Sequence, residues 1–194
     1  MQVKINTFPW GKPLNAPESF GEILCNKDQF EIRMCSYEKD IRATVKEDNG
    51  NVYEDSCLEF FFSPCPEENN SYFNFEINPL GTLYVGFSPT GKKEDSKPVD
   101  YSFYKQKINP NAFVDYDKGY WEVSFVVPYD LIRVYCPSFF KKKQHFIKGN
   151  FYKCGDKTNC PHFAVWADIN IEKIDKPNFH VVEFFKKIEF FESC

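Results

Sequence analysis

Short runs of alternating hydrophobic and polar residues extend along most of the chain, and turn-forming residues close each run. Alternation with a period of two predicts β-strands that bury one face. The predicted strands are QFEIRMCSY, DIRATVKE, CLEFFFSP, YFNFEIN, TLYVGF, AFVDYD, YWEVSFVVP, HFAVWADI and the closing run FHVVEFFKKIEFF.

The spacing of these runs predicts an all-β fold, an antiparallel β-sandwich of jelly-roll-like type with long surface loops. One short helix is predicted in PYDLIRVY, because Pro128 suits a first helical turn and few residues follow it. The polar segment 88–102, which contains glycine and prolines, predicts a long loop. Since no repeat or linker divides the sequence, residues 1–194 are predicted to form a single domain.

Polar side chains concentrate on one face of two neighbouring predicted strands. Side chains alternate across a strand, so Glu59 lies on the face opposite Leu58 in CLEFFFS. In YFNFEIN, the residues Asn74, Glu76 and Asn78 share one face. If the two strands pair antiparallel, these residues and Glu59 lie together on the outer face. A solvated sheet face explains this pattern, and so does a surface that hydrogen-bonds sugar hydroxyls.

Assigning side chains alternately to the two faces of a strand gives opposite predictions for two tryptophans. In HFAVWADI, Trp166 alternates with Val165 and shares its face with Asp168, so we expect an outer-facing ring near Glu59. Burial of this ring is the alternative, since large aromatic rings are highly buried on average. Trp121 lies on the same strand face as Val123, Phe125 and Val127, so it is assigned to the core.

Composition excludes several classes of protein. Acidic residues outnumber basic ones by 28 to 24, and lysines cluster only at 141–143, so a nucleic-acid binder is not expected. No apolar run is long enough for a signal peptide or a membrane span. Eight cysteines in so large a chain indicate buried free thiols. We predict a monomeric cytoplasmic protein, or an extracellular one if a leader has been removed.

The stretch GNFYKCGDKTNCPHFAVW holds a candidate metal site. Its potential ligands are Cys154, Cys160 and His162, with His180 or a remote cysteine as the fourth. Five residues separate the two cysteines, whereas structural zinc sites use two to four, so the spacing argues against zinc. A disulfide between the two cysteines is the other interpretation. We assign both to a turn that leads into the strand of Trp166.

Two further functions remain open on the residues alone. Glu59 and Glu76 are a candidate glycosidase pair, which the sequence favours least. A haem or another flat cofactor would need axial histidine or methionine ligands. The methionines are Met1 and Met34, and Met34 lies on the predicted core face of its strand, so the sequence offers little for a haem ligand.

Several runs in order resemble one family. They are YEDSCLEFFFSP, YFNFEINPLGTL, GYWEVSFVVPYDLI, GNFYKCGD followed by PHFAVW, and PNFHVVEFF. Together they resemble the carbohydrate-binding module family 9-like proteins of the wider DOMON-like group. The resemblance implies a non-catalytic β-sandwich that grips a mono- or oligosaccharide, such as a glycan reducing end, between two aromatic rings.

The resemblance also implies particular site residues. Tyr53 stands where the family often has a tryptophan, Glu59 resembles the family glutamate, Asn78 a polar residue on the next strand, and Trp166 the second ring. Aromatic rings suit the CH-rich faces of a pyranose, and carboxylates and amides suit its hydroxyls. The sequence departs from the pattern at its end, where FHVVEFFKK lacks the basic and glycine residues of FHRPEFFG.

No cofactor is required by this interpretation, although the resemblance allows a structural Ca²⁺ ion. Asp48, Asp55 and Asp168 are the candidate oxygen donors. Solvated loop carboxylates are the alternative interpretation of the same three residues.

Overall fold

The computed structural model describes residues 1–140, 145–174 and 176–190, so the lysine run 141–143 lies outside the described residues. Two short α-helices are present in this part of the chain, α1 (Lys105–Ile108) and α2 (Tyr129–Tyr135). The strands in the described ranges are β1 (Gln2–Ile5), β2 (Glu18–Cys25), β3 (Gln29–Tyr37), β4 (Cys57–Ser63), β5 (Tyr72–Ile77), β6 (Leu83–Ser88), β7 (Lys97–Pro98), β8 (Asn111–Asp115), β9 (Tyr120–Pro128), β10 (Phe146–Cys154), β11 (Phe163–Val165) and β12 (Lys186–Glu189).

The strands form two antiparallel sheets. The first sheet has the order β1-β2-β3-β9-β8, and the second has the order β11-β10-β4-β5-β6-β7. β12 pairs with β10 through residues 146–149, and β11 pairs with β10 through residues 152–154. The predicted antiparallel β-sandwich is confirmed.

Strands with regular alternation match their predictions, and those without it do not. QFEIRMCSY and YWEVSFVVP form β3 and β9 as predicted. β1, β2 and β10 were not predicted, and β10 was treated as a turn. Asn150 and Lys153 on β10 are both fully buried, so polar residues occupy positions that the pattern reserves for apolar ones. HFAVWADI and the closing run contain only the short strands β11 and β12.

The segment DIRATVKE is not a strand, and that prediction is wrong. The backbone N–H groups of Thr44 and Val45 donate to Asp55 Oδ2, each at 2.8 Å, and not to a neighbouring strand. α2 follows Pro128 as predicted, and the proline is its N-cap residue. α1 is a second helix that the sequence analysis did not predict.

The main core lies between the sheets and is rich in aromatic residues. Trp121 is fully buried, as predicted, and Met34 is 1% exposed. Phe60 stacks on Phe151 with ring centroids 4.5 Å apart. Each such side chain contributes about 1.5–3 kcal/mol when fully buried. No helix in the described ranges is long and apolar enough to cross a membrane.

Candidate functional site

The outer face of the second sheet carries the predicted polar residues, but it is not solvated. Glu59, Asn74, Glu76 and Asn78 share this face, and their exposed fractions are 2%, 0%, 6% and 0%. Apolar residues on both strands and loops cover the face and form a second core cluster. The buried members of this cluster include Val52, Phe61, Tyr152, Val165, Ile169, Phe179 and Phe185. The expectation of a solvated sheet face is therefore wrong.

A cavity of about 360 Å³ lies between this sheet face and the covering loops. Its volume lies in the range of small-molecule sites. Polar side chains and aromatic rings both line it. The polar residues are Asn51, Glu59, Asn74, Glu76, Lys93, Ser96, Asp156 and Asn178, and the ring-bearing residues are Tyr53, Tyr84, Phe163, Phe179 and His180.

Tyr53 is the most exposed of these rings, at 41%. It lies in a 3-10 turn at Val52–Glu54, and the fully buried Val52 anchors this turn. The Tyr53 carbonyl accepts a hydrogen bond from Asp156 N at 3.4 Å and lies 3.5 Å from Cys154 Sγ. These contacts attach the turn to the end of β10 and hold the ring at the cavity.

Phe163 and Phe179 form a second aromatic group at the cavity, with ring centroids 6.3 Å apart. Trp10 packs against both rings, at 6.3 Å from Phe163 and 6.0 Å from Phe179. The Trp10 indole donates to the carbonyl of Ile174 at 3.4 Å. This group was not predicted, because Trp10, which supports both rings, lies far from them in the sequence.

Glu59 and Glu76 lie opposite each other on β4 and β5, and both line the cavity. Cys154 Sγ donates to Glu59 Oε1 at 2.9 Å, and Asn74 Nδ2 donates to Glu76 Oε1 at 2.9 Å. Burial raises the pKa of Glu59 well above its usual range, and burial also raises the pKa of Glu76 to about 7. A protonated carboxyl both donates and accepts hydrogen bonds, so this pair can serve either kind of hydroxyl contact.

Gly86 leaves the space that Asn74 occupies on the neighbouring strand. A Cβ atom at position 86 would lie 2.4 Å from Asn74 Oδ1 and 2.9 Å from a ring carbon of Tyr84. A glycine inside a strand often marks such a close approach. The isolated glycine in TLYVGF was the sequence signal for this feature.

His180, which was named above as a possible fourth metal ligand, also lines the cavity. Its side chain forms a hydrogen bond with Tyr72, whose Oη lies 2.7 Å from His180 Nδ1. Burial lowers the pKa of His180 to about 3, so the imidazole is neutral near pH 7. A neutral imidazole offers one donor and one acceptor.

Trp166 does not lie at the cavity. Val165 pairs with Tyr152, which in turn pairs with Glu59, so Val165 and not Trp166 lies on the face of Glu59. Trp166 is partly buried on the opposite face, 6.2 Å from Phe151, with Lys186 Nζ 5.6 Å from its ring. Alternation separated the two faces of this strand correctly, but the face of Trp166 was predicted to be the outer one and is the inner one. The prediction is wrong because the outer face is covered by apolar residues, so both faces of the strand have the sequence pattern of a core.

Asn78 does not line the cavity either. Its Nδ2 atom donates to Val45 O at 2.8 Å and to Asp55 Oδ2 at 3.0 Å. Its Oδ1 atom accepts from the N–H groups of Leu80 and Thr82, both at 3.0 Å. These four bonds use the amide fully and hold the turn between β5 and β6.

The three candidate calcium donors do not lie together in one group of ligand atoms within the described residues. Asp55 is fully buried and accepts hydrogen bonds from Thr44, Val45 and Asn78. Asp48 is paired with Lys105 Nζ at 2.8 Å. Asp168 does not belong to a potential metal-binding group in this part of the chain.

The predicted ligands Cys154, Cys160 and His162 are not brought together. His162 contacts Lys153 Nζ through Nε2 and the Cys160 carbonyl through Nδ1, both at 2.7 Å. The Cys154 side chain instead faces Glu59. Cys154 and Cys160 are both free thiols, so the alternative disulfide is also absent.

Comparison with known proteins identifies a family. The model of carbohydrate-binding family 9 matches residues 2–190. The fold is similar to that of a candidate carbohydrate-binding protein from Bacteroides uniformis, with 27% identity, a TM-score of 0.79 and coverage of 98% of this chain and 86% of the other. A fungal relative from Arthroderma benhamiae, named "Extracellular protein", is 23% identical over 97% of this chain and 90% of the relative.

Two ligand-bound structures share the fold at low identity. Both are family 9 carbohydrate-binding modules from Caldicellulosiruptor kristjanssonii. The complex with cellotriose has a TM-score of 0.61 and 8% identity over 98% of this chain and 82% of the other. The complex with glucose has a TM-score of 0.55 and 10% identity over 97% of this chain and 84% of the other.

Proposed function

Because the chain belongs to carbohydrate-binding family 9, we propose that it binds a mono- or oligosaccharide in the covered cavity and catalyses no reaction on it. The observation that carries this proposal is the lining of the cavity, which combines aromatic rings with carboxyl and amide groups. A pyranose has flat CH-rich faces that pack on rings, and hydroxyls around its edge that need donors and acceptors.

Tyr53 and Glu59 keep the roles that the resemblance implies, as one stacking ring and one hydrogen-bonding partner. Phe163 and Phe179 replace Trp166 as the second aromatic surface, because both line the cavity and Trp166 does not. Asn74 replaces Asn78 as the amide, since the Asn78 side chain is used in its turn. The proposed site therefore keeps the chemistry of the resemblance with a different set of residues.

Glucose and cellotriose are the first ligands to test, since each is bound by a module with the same fold. The name of the fungal relative and the disulfide-bonded Cys25 support a location outside the cell, whereas the six free cysteines of the described residues support a reducing compartment. The binding proposal holds in either location, because every proposed contact comes from this chain.

A glycosidase that uses Glu59 and Glu76 is the second candidate function. The supporting observation is that the two carboxyls lie side by side at paired positions of β4 and β5, both line the cavity, and burial raises both pKa values, that of Glu76 to about 7 and that of Glu59 well above its usual range. Glycoside hydrolysis uses two carboxyl groups, one as an acid and the other as a base or nucleophile. Membership of a carbohydrate-binding family supports binding alone as the first proposal.

Calorimetric titration of the protein with glucose and with cellotriose tests the binding proposal. We expect saturable binding that Tyr53→Ala weakens up to about 10-fold, since an aromatic contact contributes about 0.5–1.5 kcal/mol. Tyr116→Ala is the matched control, because Tyr116 is 66% exposed and does not line the cavity. Equal affinity in the parent and in Tyr53→Ala would place the sugar elsewhere. Release of glucose from cellotriose would favour the glycosidase.

A further inference from the structure

We propose that Cys57, Glu59 and Cys154 form a binding site for a zinc-class divalent cation at the floor of the cavity. The two Sγ atoms and one Glu59 oxygen all lie within 4.8 Å of one another. All three residues are at most 2% exposed. They form the one group of three metal-ligating side chains in the part of the chain that the structure describes.

Strand pairing brings these residues together from distant parts of the sequence. Cys57 on β4 lies directly opposite Cys154 on β10. Glu59 lies two positions further along β4, so its side chain points to the same face as Cys57. Two neighbouring strands of one sheet therefore hold all three ligands, and rigid elements position metal ligands more accurately than loops do.

The three groups match the ligand chemistry of zinc. Zinc binds cysteine sulfur at about 2.3 Å and carboxylate oxygen at about 2.0–2.2 Å in a tetrahedral arrangement. Ligands at those distances around a tetrahedral ion lie roughly 3.3–3.8 Å apart, so small side-chain rotations suffice to close the group around an ion. Thiolates favour zinc over calcium or magnesium, which prefer oxygen ligands.

The cavity supplies the fourth coordination position. Glu59 and Cys154 both line the cavity, so water reaches the side of the group that the protein leaves open. Three protein ligands and one water is an arrangement that zinc adopts in open sites. The Cys154 thiol now donates its hydrogen to Glu59 at 2.9 Å. Binding of the cation as a dithiolate would release the protons of both the Cys57 and the Cys154 thiol into solvent.

A disulfide between Cys57 and Cys154 is the competing use of these thiols. Residues directly opposite each other on antiparallel strands have Cα atoms about 4.5–5.5 Å apart, a separation that a disulfide tolerates. The presence of Glu59 beside both sulfurs favours the cation, because a disulfide has no use for a third ligand. The two states exclude each other, so one experiment separates them.

The test is titration of the full chain, treated with a chelator and held reduced by a phosphine, with Zn²⁺ by calorimetry and with Co²⁺ by absorption spectroscopy. We expect one ion per chain, a sulfur-to-cobalt charge-transfer band and proton release into the buffer. Cys57→Ala and Cys154→Ala should each weaken binding at least about 100-fold, since loss of outer-shell partners alone costs about 10–100-fold. Cys160→Ser should bind like the parent, because its thiol lies outside the group.

Three results would overturn the site: no ion bound by the reduced parent, no charge-transfer band in its cobalt form, or unchanged binding in the double Cys57→Ala, Cys154→Ala variant. The parent measurements need no variant to fold. A Cys57–Cys154 disulfide in the purified protein, with no ion bound after its reduction, would assign the thiols to redox chemistry. The titrations contain no sugar, so their outcome is independent of the proposed carbohydrate binding.

Discussion

Glu59 on β4 lies directly opposite Glu76 on β5, and loops bury both side chains. Like charges opposite each other destabilise a sheet, and burial disfavours the ionised form of each carboxyl. Burial raises the pKa of both residues, and the charges of Cys154 and Glu76 raise that of Glu59 further. The sheet thus presents these polar residues to a partly open cavity beneath the covering loops and not to a fully solvated surface.

Trp166→Ala should leave carbohydrate affinity unchanged within about two-fold, because the ring packs against Phe151 on the other face of the sheet. The loss of partly buried aromatic packing should lower the free energy of unfolding by about 2 kcal/mol. Calorimetric titration and urea denaturation measure the two effects separately. A large loss of affinity with unchanged stability would return Trp166 to the site.

Gly86→Ala should weaken carbohydrate binding about 10-fold. The new methyl group would displace the Asn74 amide, which lines the cavity and donates a hydrogen bond to Glu76 at 2.9 Å. Loss of a hydrogen bond to a charged or polar partner costs about 1–2 kcal/mol, which corresponds to the expected 10-fold change. Asn74→Ala is the matched variant, because it removes the side chain with which the methyl group collides. If Gly86→Ala acts by displacing Asn74, the double variant Gly86→Ala, Asn74→Ala should bind carbohydrate no more weakly than Asn74→Ala alone. Additive losses of affinity in the double variant would contradict this explanation.

Asn78→Ala should destabilise the fold by about 3 kcal/mol, since it leaves the buried Thr82 N–H and the Leu80 N–H without their side-chain acceptor and removes one of three hydrogen bonds to Asp55 Oδ2. Carbohydrate affinity per folded molecule should stay near that of the parent, because Asn78 does not line the cavity. Asn15→Ala at an exposed position is the control and should change stability by less than about 0.5 kcal/mol. Chemical denaturation measures the free energy of unfolding of both variants. Equal losses in the two would contradict the structural role of Asn78.

His180→Gln should reduce the acid sensitivity of the fold. The pKa of His180 is about 3 in the folded protein, because burial disfavours the charged ring, and about 6.5 in an unfolded chain. The unfolded state therefore binds more protons between these values, so this residue's stabilising contribution is complete above pH 6.5 and falls as the pH falls. At pH 5 the loss is about 2 kcal/mol.

Urea denaturation of the parent and of His180→Gln between pH 7.5 and 5 tests this linkage. The difference in unfolding free energy between the two proteins should shift in favour of the variant as the pH falls. A difference that stays constant across the range would show that His180 does not titrate as its burial requires. His145→Gln at an exposed position is the matched control.

Alternation in the sequence determined the two-sheet architecture and much of the strand content. β3, β5 and β9 follow their predicted runs, because an uninterrupted period of two separates a buried face from the other face whatever the partner strand is. The same local rule placed Glu59 and Glu76 on one face, and short connections between neighbouring strands made their pairing predictable.

Only the tertiary structure decided what covers that face. Loops from distant parts of the chain bury it, so the carboxyls lie in a cavity and Val165 takes the side that was expected for Trp166. The pairing of β10 with β4 likewise places Cys154 opposite Cys57. This contact was not predicted, because the segment that forms β10 was predicted to be a turn. The physical reason is that periodicity reports which side chains share a face, whereas burial of that face depends on segments far away in sequence.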